Sequence, residues 1–419
     1  MTEVMSVKLL YLTLLILLLT SSAGLFAGSA GSISLAGSYS LRAHGAEANY
    51  WNPANLAYPV FYRGELFIIN TGLNIDNNAL SIGKYNDING TYLTDSDKQN
   101  IITGLKKHLI LNTDISHTLA GIHLPGIALS ARVNLHIRGK LSSEYVELLL
   151  LGNEYDRVYK FTKDNNHLEG IGYTDLTAGI SPYTLYLGDY TIHTGIAFSL
   201  LYGYGVITTE KYSGTLLINN DGLNLEQQVV LKFGENGFGM KSLVGFRSDI
   251  NDNLTVGLTI DNLGGFIHWV GEIEQRTYTA SADSLYIIDL DKDFFLSDET
   301  VEESGSFTTS LPITTRIAAI YHLYDFNLSV DWKQGYVNSV LTDKTPEISM
   351  GAEYFIRPHI PLRIGFSPGL GSERYSFSYG AGWSARSYDL EIGLQTIGSP
   401  IPSNYLKGIG LGITSRWRF

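Results

Sequence analysis

The sequence has no cysteine. That excludes a disulfide scaffold and a thiolate metal site. Charge is sparse, at 17% of residues against about 25% in soluble domains. Basic residues are the scarcer sign: 29 Lys and Arg against 41 Asp and Glu leave a net charge of −12, which speaks against a nucleic-acid partner. No stretch reaches the roughly 18 apolar residues of a membrane helix. Glycine is abundant, 44 of 419 residues against a usual ~7%. Tyrosine is abundant too, at 27 residues, and the apolar fraction of 44% is too high for disorder.

The longest apolar run stands at the start. Leu9 to Leu19 is apolar except for Tyr11 and Thr13, follows Lys8, and precedes the small residues Thr20, Ser21, Ser22, Ala23 and Gly24. This is the layout of a secretory signal peptide. Cleavage is possible after Ala23, Ala27 or Ala30; a cut after Ala27 assigns residues 1–27 to the signal and predicts an exported protein.

Beyond it, apolar and polar residues alternate with period two. Ile127, Leu129, Ala131, Val133, Leu135 and Ile137 oppose Ala128, Ser130, Arg132, Asn134, His136 and Arg138. Ile196, Phe198, Leu200 and Tyr202 oppose Gly195, Ala197, Ser199 and Gly203. The same holds for 326–332, 348–356 and 387–395. A soluble β-sandwich and a transmembrane β-barrel both alternate in this way. The segments reach the 9–11 residues that cross a bilayer at a tilt, whereas sandwich strands are usually about 5–6. Tyrosines and Trp383 gather near segment ends, as in an interfacial aromatic girdle. In the last segment Ile409, Leu411, Ile413, Trp417 and Phe419 share one face, and Gly408, Gly410, Gly412, Thr414, Arg416 and Arg418 the other. An amphipathic strand ending on Trp417 and Phe419 is like the signal read by the outer-membrane barrel assembly machinery, an expected partner alongside outer-membrane lipid. The expectation is an all-β, antiparallel transmembrane β-barrel of about 14 strands, an even number being the rule, in the outer membrane of a Gram-negative-type bacterium.

Two segments carry helical spacing. Thr94 to Lys107 has Ile101, Ile102 and Leu105 on one stripe, and Ser142 to Leu151 ends in four leucines. Residues 281–306 hold eight acids against Lys292 and read as a solvated surface loop. Asp289, Asp291 and Asp293 resemble the start of a calcium loop, but Phe294 and Thr300 occupy the positions that need Gly and Glu, which rejects an EF-hand. Gly365, Phe366, Ser367, Pro368 and Gly369 spell G-x-S-x-G, yet no helix follows, so a hairpin turn is expected and not a nucleophile elbow. No catalytic constellation, metal motif or cofactor fingerprint is present, and an enzyme is not expected. Arg132, His136, Arg138, Arg316, Asp331, Glu353, Arg363, Asp389 and Glu391 fall on polar faces. They are expected to point into the lumen, as ion-paired packing around a plug or as the lining of a selective polar pore.

Residues 36–59 read AGSYSLRAHGAEANYWNPANLAYP. Asn before Pro starts a turn, and Pro fixes φ and removes a donor. The segment resembles the opening of the FadL/PorV-like outer-membrane barrels, whose "WNPAxLA" motif corresponds here to Trp51, Asn52, Pro53, Ala54, Asn55, Leu56 and Ala57. Val256 to Trp269 and Pro361 to Gly371 resemble later strands of the same superfamily, and the resemblance covers most of 31–419. It implies that residues 28–59 plug the lumen of a barrel formed by 60–419, with Trp51, Asn52, Pro53, Ala54 and Leu56 as the plug motif. It further implies porin-like passive transport of a hydrophobic ligand. The alternative is a PorV-like barrel that binds or anchors exported proteins without transport.

Overall fold

The computed structural model describes residues 28–58, 64–89, 92–105, 107–188, 190–285, 296–369 and 375–419. The expected signal peptide lies outside the described residues, as do Asp289, Asp291 and Asp293. Fourteen strands form a closed wall: β1 (Glu65–Asn77), β2 (His108–Leu124), β3 (Ile127–Ser142), β4 (His167–Ile180), β5 (Tyr190–Asn219), β6 (Gly222–Asp249), β7 (Leu254–Trp269), β8 (Thr314–Leu323), β9 (Phe326–Gly335), β10 (Glu347–Arg357), β11 (Ile360–Ser367), β12 (Ser376–Ser384), β13 (Tyr388–Ile397) and β14 (Gly408–Arg418). Each pairs antiparallel with the next. β14 returns to β1, with Gly412 opposite Gly72. The chain is therefore a fourteen-stranded antiparallel barrel.

The alternation in sequence becomes two surfaces. Ile127, Leu129, Leu200, Ile364, Ile392 and Leu411 are exposed on the outer face, and Ser130, Ser199, Arg363, Glu391 and Thr414 are buried on the inner one. An apolar belt of that extent is tolerated only against hydrocarbon, so the outer face is the lipid-facing one. No helix among the described residues is long and apolar enough to cross a membrane.

The two ends differ. One carries tight turns such as Leu124–Ile127 and Leu323–Phe326, together with Gly64 and Phe419, which exchange backbone hydrogen bonds of 3.1 and 2.9 Å. The other carries the long connections and three helices, Ile82–Ile88, Asp95–Leu105 and Ser143–Leu151. The first of these has no counterpart in the sequence expectation. The second is capped reciprocally: the Thr94 N–H donates to Asp97 Oδ2 at 2.9 Å and the Asp97 N–H to Thr94 Oγ1 at 3.3 Å. The third is capped by Ser142, whose Oγ accepts from the Tyr145 N–H at 3.2 Å.

β5 and β6 run past the wall as a long hairpin. The outer half of β6 pairs with a strand at Ile273–Leu285, which pairs in turn with Leu296–Glu303. This corrects the expected solvated loop over 281–306, whose described flanks are strand. The reason is local: an extended β6 presents a free row of N–H and C=O groups that must be paired. Glu299, Glu302 and Glu303 remain exposed along that strand.

Candidate functional site

Residues 28–58 lie inside the barrel. They fold as helical turns at Ala30–Ser34, Gly45–Glu47, Ala48–Trp51 and Pro53–Ala57. Such short turns have little stability alone, so their order comes from packing. Ala30, Ser34, Ala36, Ala46, Ala48, Asn52 and Ala54 have no exposed surface.

The wall receives this segment, the expected plug, on glycines. Gly72, Gly412, Gly393 and Gly380 face one another across β1, β14, β13 and β12 in register. A Cβ on Gly393 would lie 2.5 Å from the Ala30 carbonyl oxygen, and one on Gly412 would lie 2.8 Å from Ala30 Cα. On the same terms a Cβ on Gly365 would overlap Leu35, on Gly195 Pro53, and on Gly245 Asn52. The high glycine content therefore has a location, an inner track where backbone meets backbone.

Within the motif, Asn52 Oδ1 accepts from the Ala54 N–H at 3.0 Å, and its Nδ2 donates to the Phe246 carbonyl of β6 at 3.1 Å. Pro53 opens the following turn, where no N–H is required. Leu56 packs with Ala48 against Ala128 of β3. Trp51 stands edge-on to Tyr39, centroids 5.4 Å apart, in a cluster with Leu35 and Ala43. Asn55 ties the plug to itself, donating to the Ser40 and Ala43 carbonyls at 2.9 and 2.7 Å.

The nine polar-face residues fall into three groups. Glu353 pairs with Arg42 of the plug and with Arg363 at 2.7 Å. Arg363 reaches Glu391 at 2.7 Å, and Glu391 reaches Arg416 at 3.1 Å. Arg416 also faces Glu47 of the plug at 3.6 Å and Asp389 at 3.9 Å. Asp331 accepts from the Ser40 N–H at 3.1 Å and from the Ser38 and Ser40 hydroxyls. In the second group Arg132 lies 3.6 Å over the Tyr50 ring and Arg316 lies 4.7 Å over Trp51, so two wall cations cap the plug's aromatic surface. In the third, His136 bonds Asp114, and Arg138 bonds Asp343 of the β9–β10 connection at 2.8 Å. Sequence reasoning did not single out the plug side of this network. Arg42, His44 and Glu47 carried no signal beyond being charged residues in an Ala- and Gly-rich stretch. Burial raises the Glu47 carboxyl, against the pull of Arg416. Burial and the Arg416 guanidinium lower the His44 imidazole to about 3. His44 Nε2 contacts Arg416 at 2.6 Å and Nδ1 lies 3.3 Å from the Arg42 carbonyl.

Beside the plug, the pairing of β1 with β2 is interrupted. β1 and β2 pair at Leu66–Ile122 and resume at Thr71–His117, with no pairing over Phe67–Asn70 and Thr118–Gly121. Both strands bulge within that gap, β1 at Ile68 against β14 and β2 at Leu119 against β3. Ile68 and Leu119 turn outward, 56% and 55% exposed. Phe67 turns inward onto Gly121, beside Ala46 of the plug. Asn70 bridges the gap with its side chain, donating to Thr118 Oγ1 at 3.2 Å and to Glu47 at 3.4 Å and accepting from Thr414 at 2.9 Å. Outside the seam lies an apolar groove of about 600 Å³ lined by Leu66, Ile122, Leu129, Leu176, Phe198 and Leu200.

At the chain end, the rings of Trp417 and Phe419 lie 5.4 Å apart and stand about half exposed on the outer face.

No protein-family model matches the chain, and no curated protein does. Among solved structures, the toluene transporter TodX of Pseudomonas putida overlays with a TM-score of 0.51 at 10% identity, over 94% of this chain and 99% of that one. A TodX variant described as a monoaromatic hydrocarbon channel gives 0.52 at 10% identity, over 95% and 98%. A FadL homologue of Pseudomonas aeruginosa gives 0.49 at 10% identity, over 95% and 100%. At such identities the likeness is one of fold: a fourteen-stranded barrel with a short helical segment ahead of its first strand.

Proposed function

We propose that this barrel sits in the outer membrane and passes hydrophobic small molecules passively, releasing them sideways through the seam between β1 and β2. The observation that carries this reading is the four-residue loss of pairing at Phe67–Asn70, which opens onto an apolar groove. A straight route through the lumen meets the plug, seated on glycine and tied by the Arg42–Glu353 and Arg416–Glu47 pairs. The seam is closed by less: one phenyl ring and the hydrogen bonds of Asn70. An apolar solute gains by moving from an aqueous vestibule into hydrocarbon, so no energy source is needed. The fold shared with a toluene transporter is consistent with such cargo.

The test uses the absence of native cysteine. Asn70→Cys with Thr118→Cys places two thiols where the native side chains already touch. Oxidation should stop uptake of labelled toluene or octane into cells carrying the barrel, and reduction should restore it. Equal uptake in both states refutes the lateral route.

A second reading, a barrel that anchors exported proteins, draws on the sheet built outside the wall by β5, β6 and the strands at 273–285 and 296–303. Stoichiometric secreted proteins on the purified barrel would favour it; co-purified hydrocarbon favours passage.

A further inference from the structure

At the upper edge of the seam a polar pair stands on the lipid-facing surface. Thr71 and His117 are register partners, and their neighbours in register, Ile413 on β14 and Val133 on β3, lie on the outward face. The residues next to Thr71 confirm its direction: Gly72 faces the plug, and Asn70 bonds Thr118 and Glu47 inside. The Thr71 hydroxyl and His117 Nδ1 lie 2.7 Å apart. His117 has no other polar partner among the described residues, which leaves Nε2 without one on the outward face. An imidazole on the lipid face of a barrel costs free energy, and an unsatisfied ring nitrogen there costs more. Phe or Leu would fill the position without that cost.

We propose that His117 is a head-group site for a molecule whose hydrocarbon part lies in the groove outside the seam. The proposal rests on the reading of the seam as an exit. On the outward face of β2, His117 follows Ala120, which lines the groove, and Leu119, so it stands just beyond one end of the groove. The groove's volume of about 600 Å³ lies within the roughly 300–1,000 Å³ of small-molecule sites. Its lining is apolar, so it recognises shape and hydrocarbon only, and His117 supplies one hydrogen bond. With the Thr71 hydroxyl donating to Nδ1, Nε2–H is a donor for an oxygen. A neutral oxygen is required, because a carboxylate would bring uncompensated charge into hydrocarbon. The ligand class is therefore a hydrocarbon with one neutral hydroxyl or carbonyl: a long-chain alcohol, an alkylphenol or a ketone.

The full-length barrel in lipid nanodiscs is labelled with two diazirine probes of equal chain length, an alcohol and an alkane. The alcohol should mark peptides from 108–124 and 127–142. His117→Leu should lower its labelling about tenfold, the worth of one hydrogen bond in an apolar setting, and leave alkane labelling unchanged. His117→Asn, which keeps a donor, should retain most of the alcohol signal, and heat-modifiable gel mobility checks that each variant is folded. The proposal is overturned if His117→Leu leaves alcohol labelling intact, if both probes fall together, or if added phospholipid displaces the alcohol as well as unlabelled alcohol does, which marks a resident acyl-chain site. Locking the seam by oxidising the Asn70→Cys, Thr118→Cys double variant separates the two readings. Labelling should survive the lock while uptake stops; labelling with unchanged uptake removes the lateral route and leaves the site.

Discussion

Phe67 of β1 lies against Gly121 of β2 across the gap where the two strands do not pair. Gly121 has no room for a Cβ, because the Phe67 ring and the Ala46 side chain already occupy that space. A wall strand, its neighbour and the plug thus meet at one ring, 5% exposed. The ring closes from the inside what the backbone leaves open.

Phe67→Ala removes that closure. Uptake of a labelled aromatic hydrocarbon should rise severalfold, since the remaining barrier is the Asn70 bridge. Stability should fall by about 3–5 kcal/mol, the usual cost of truncating a buried Phe, read as a lower urea midpoint for loss of heat-modifiable mobility. Lower uptake by a folded variant would contradict the seam.

Gly412→Val tests the seat of the plug. Its Cβ would start 2.8 Å from Ala30 Cα, a backbone atom that cannot swing aside. The plug should lift from β14 while the outward face of the strand is untouched. Single-channel conductance in planar bilayers should rise toward that of a barrel lacking residues 31–57, and the plug should become cleavable by added protease. A quiet, protease-resistant Gly412→Val barrel would mean that the plug is held elsewhere.

Much of this architecture is legible in the sequence because a barrel wall has a strict period. Ile127 to Ile137 announce their outward face by alternation alone, and Leu411 and Ile413 do the same. The plug is harder to read. Its turns at 45–47 and 48–51 have no amphipathic repeat, because they are enclosed on all sides and owe their shape to the wall. The seam is invisible for a related reason. Phe67, Ile68 and Ile69 look like ordinary apolar strand residues, and only the pairing of two strands at once reveals the bulges at Ile68 and Leu119. The acidic stretch misled because charge pattern reports exposure and not backbone pairing; residues 298–303 are exposed and still lie in a strand.

Arg416→Met should be more damaging than any single carboxylate change around it. The guanidinium is fully buried and faces Glu391 at 3.1 Å, Glu47 at 3.6 Å and Asp389 at 3.9 Å. Its removal leaves several acids without their shared cation, and breaking a buried pair in this way costs about 3–5 kcal/mol. Glu391→Gln keeps a hydrogen-bonding group in place and should cost less. Urea titration of the two variants checks the order; equal midpoints would mean that the network is solvated.

Acid should loosen the plug through His44. Docking holds its imidazole at about 3, against an ordinary 6.5. Nε2 is the acceptor for the Arg416 guanidinium, 2.6 Å away, so a proton placed there would face a cation. The undocked plug binds that proton below about pH 6.5 and the docked plug does not, so the undocked state binds more protons and docking must weaken as pH falls. The contribution is complete above pH 6.5 and is lost progressively toward pH 3. Protease access to residues 28–58 should therefore increase between about pH 6.5 and about pH 4 in the native barrel. His44→Gln keeps an acceptor but does not titrate, and should flatten that part of the profile. An identical pH profile in His44→Gln would show that acid loosening does not run through His44.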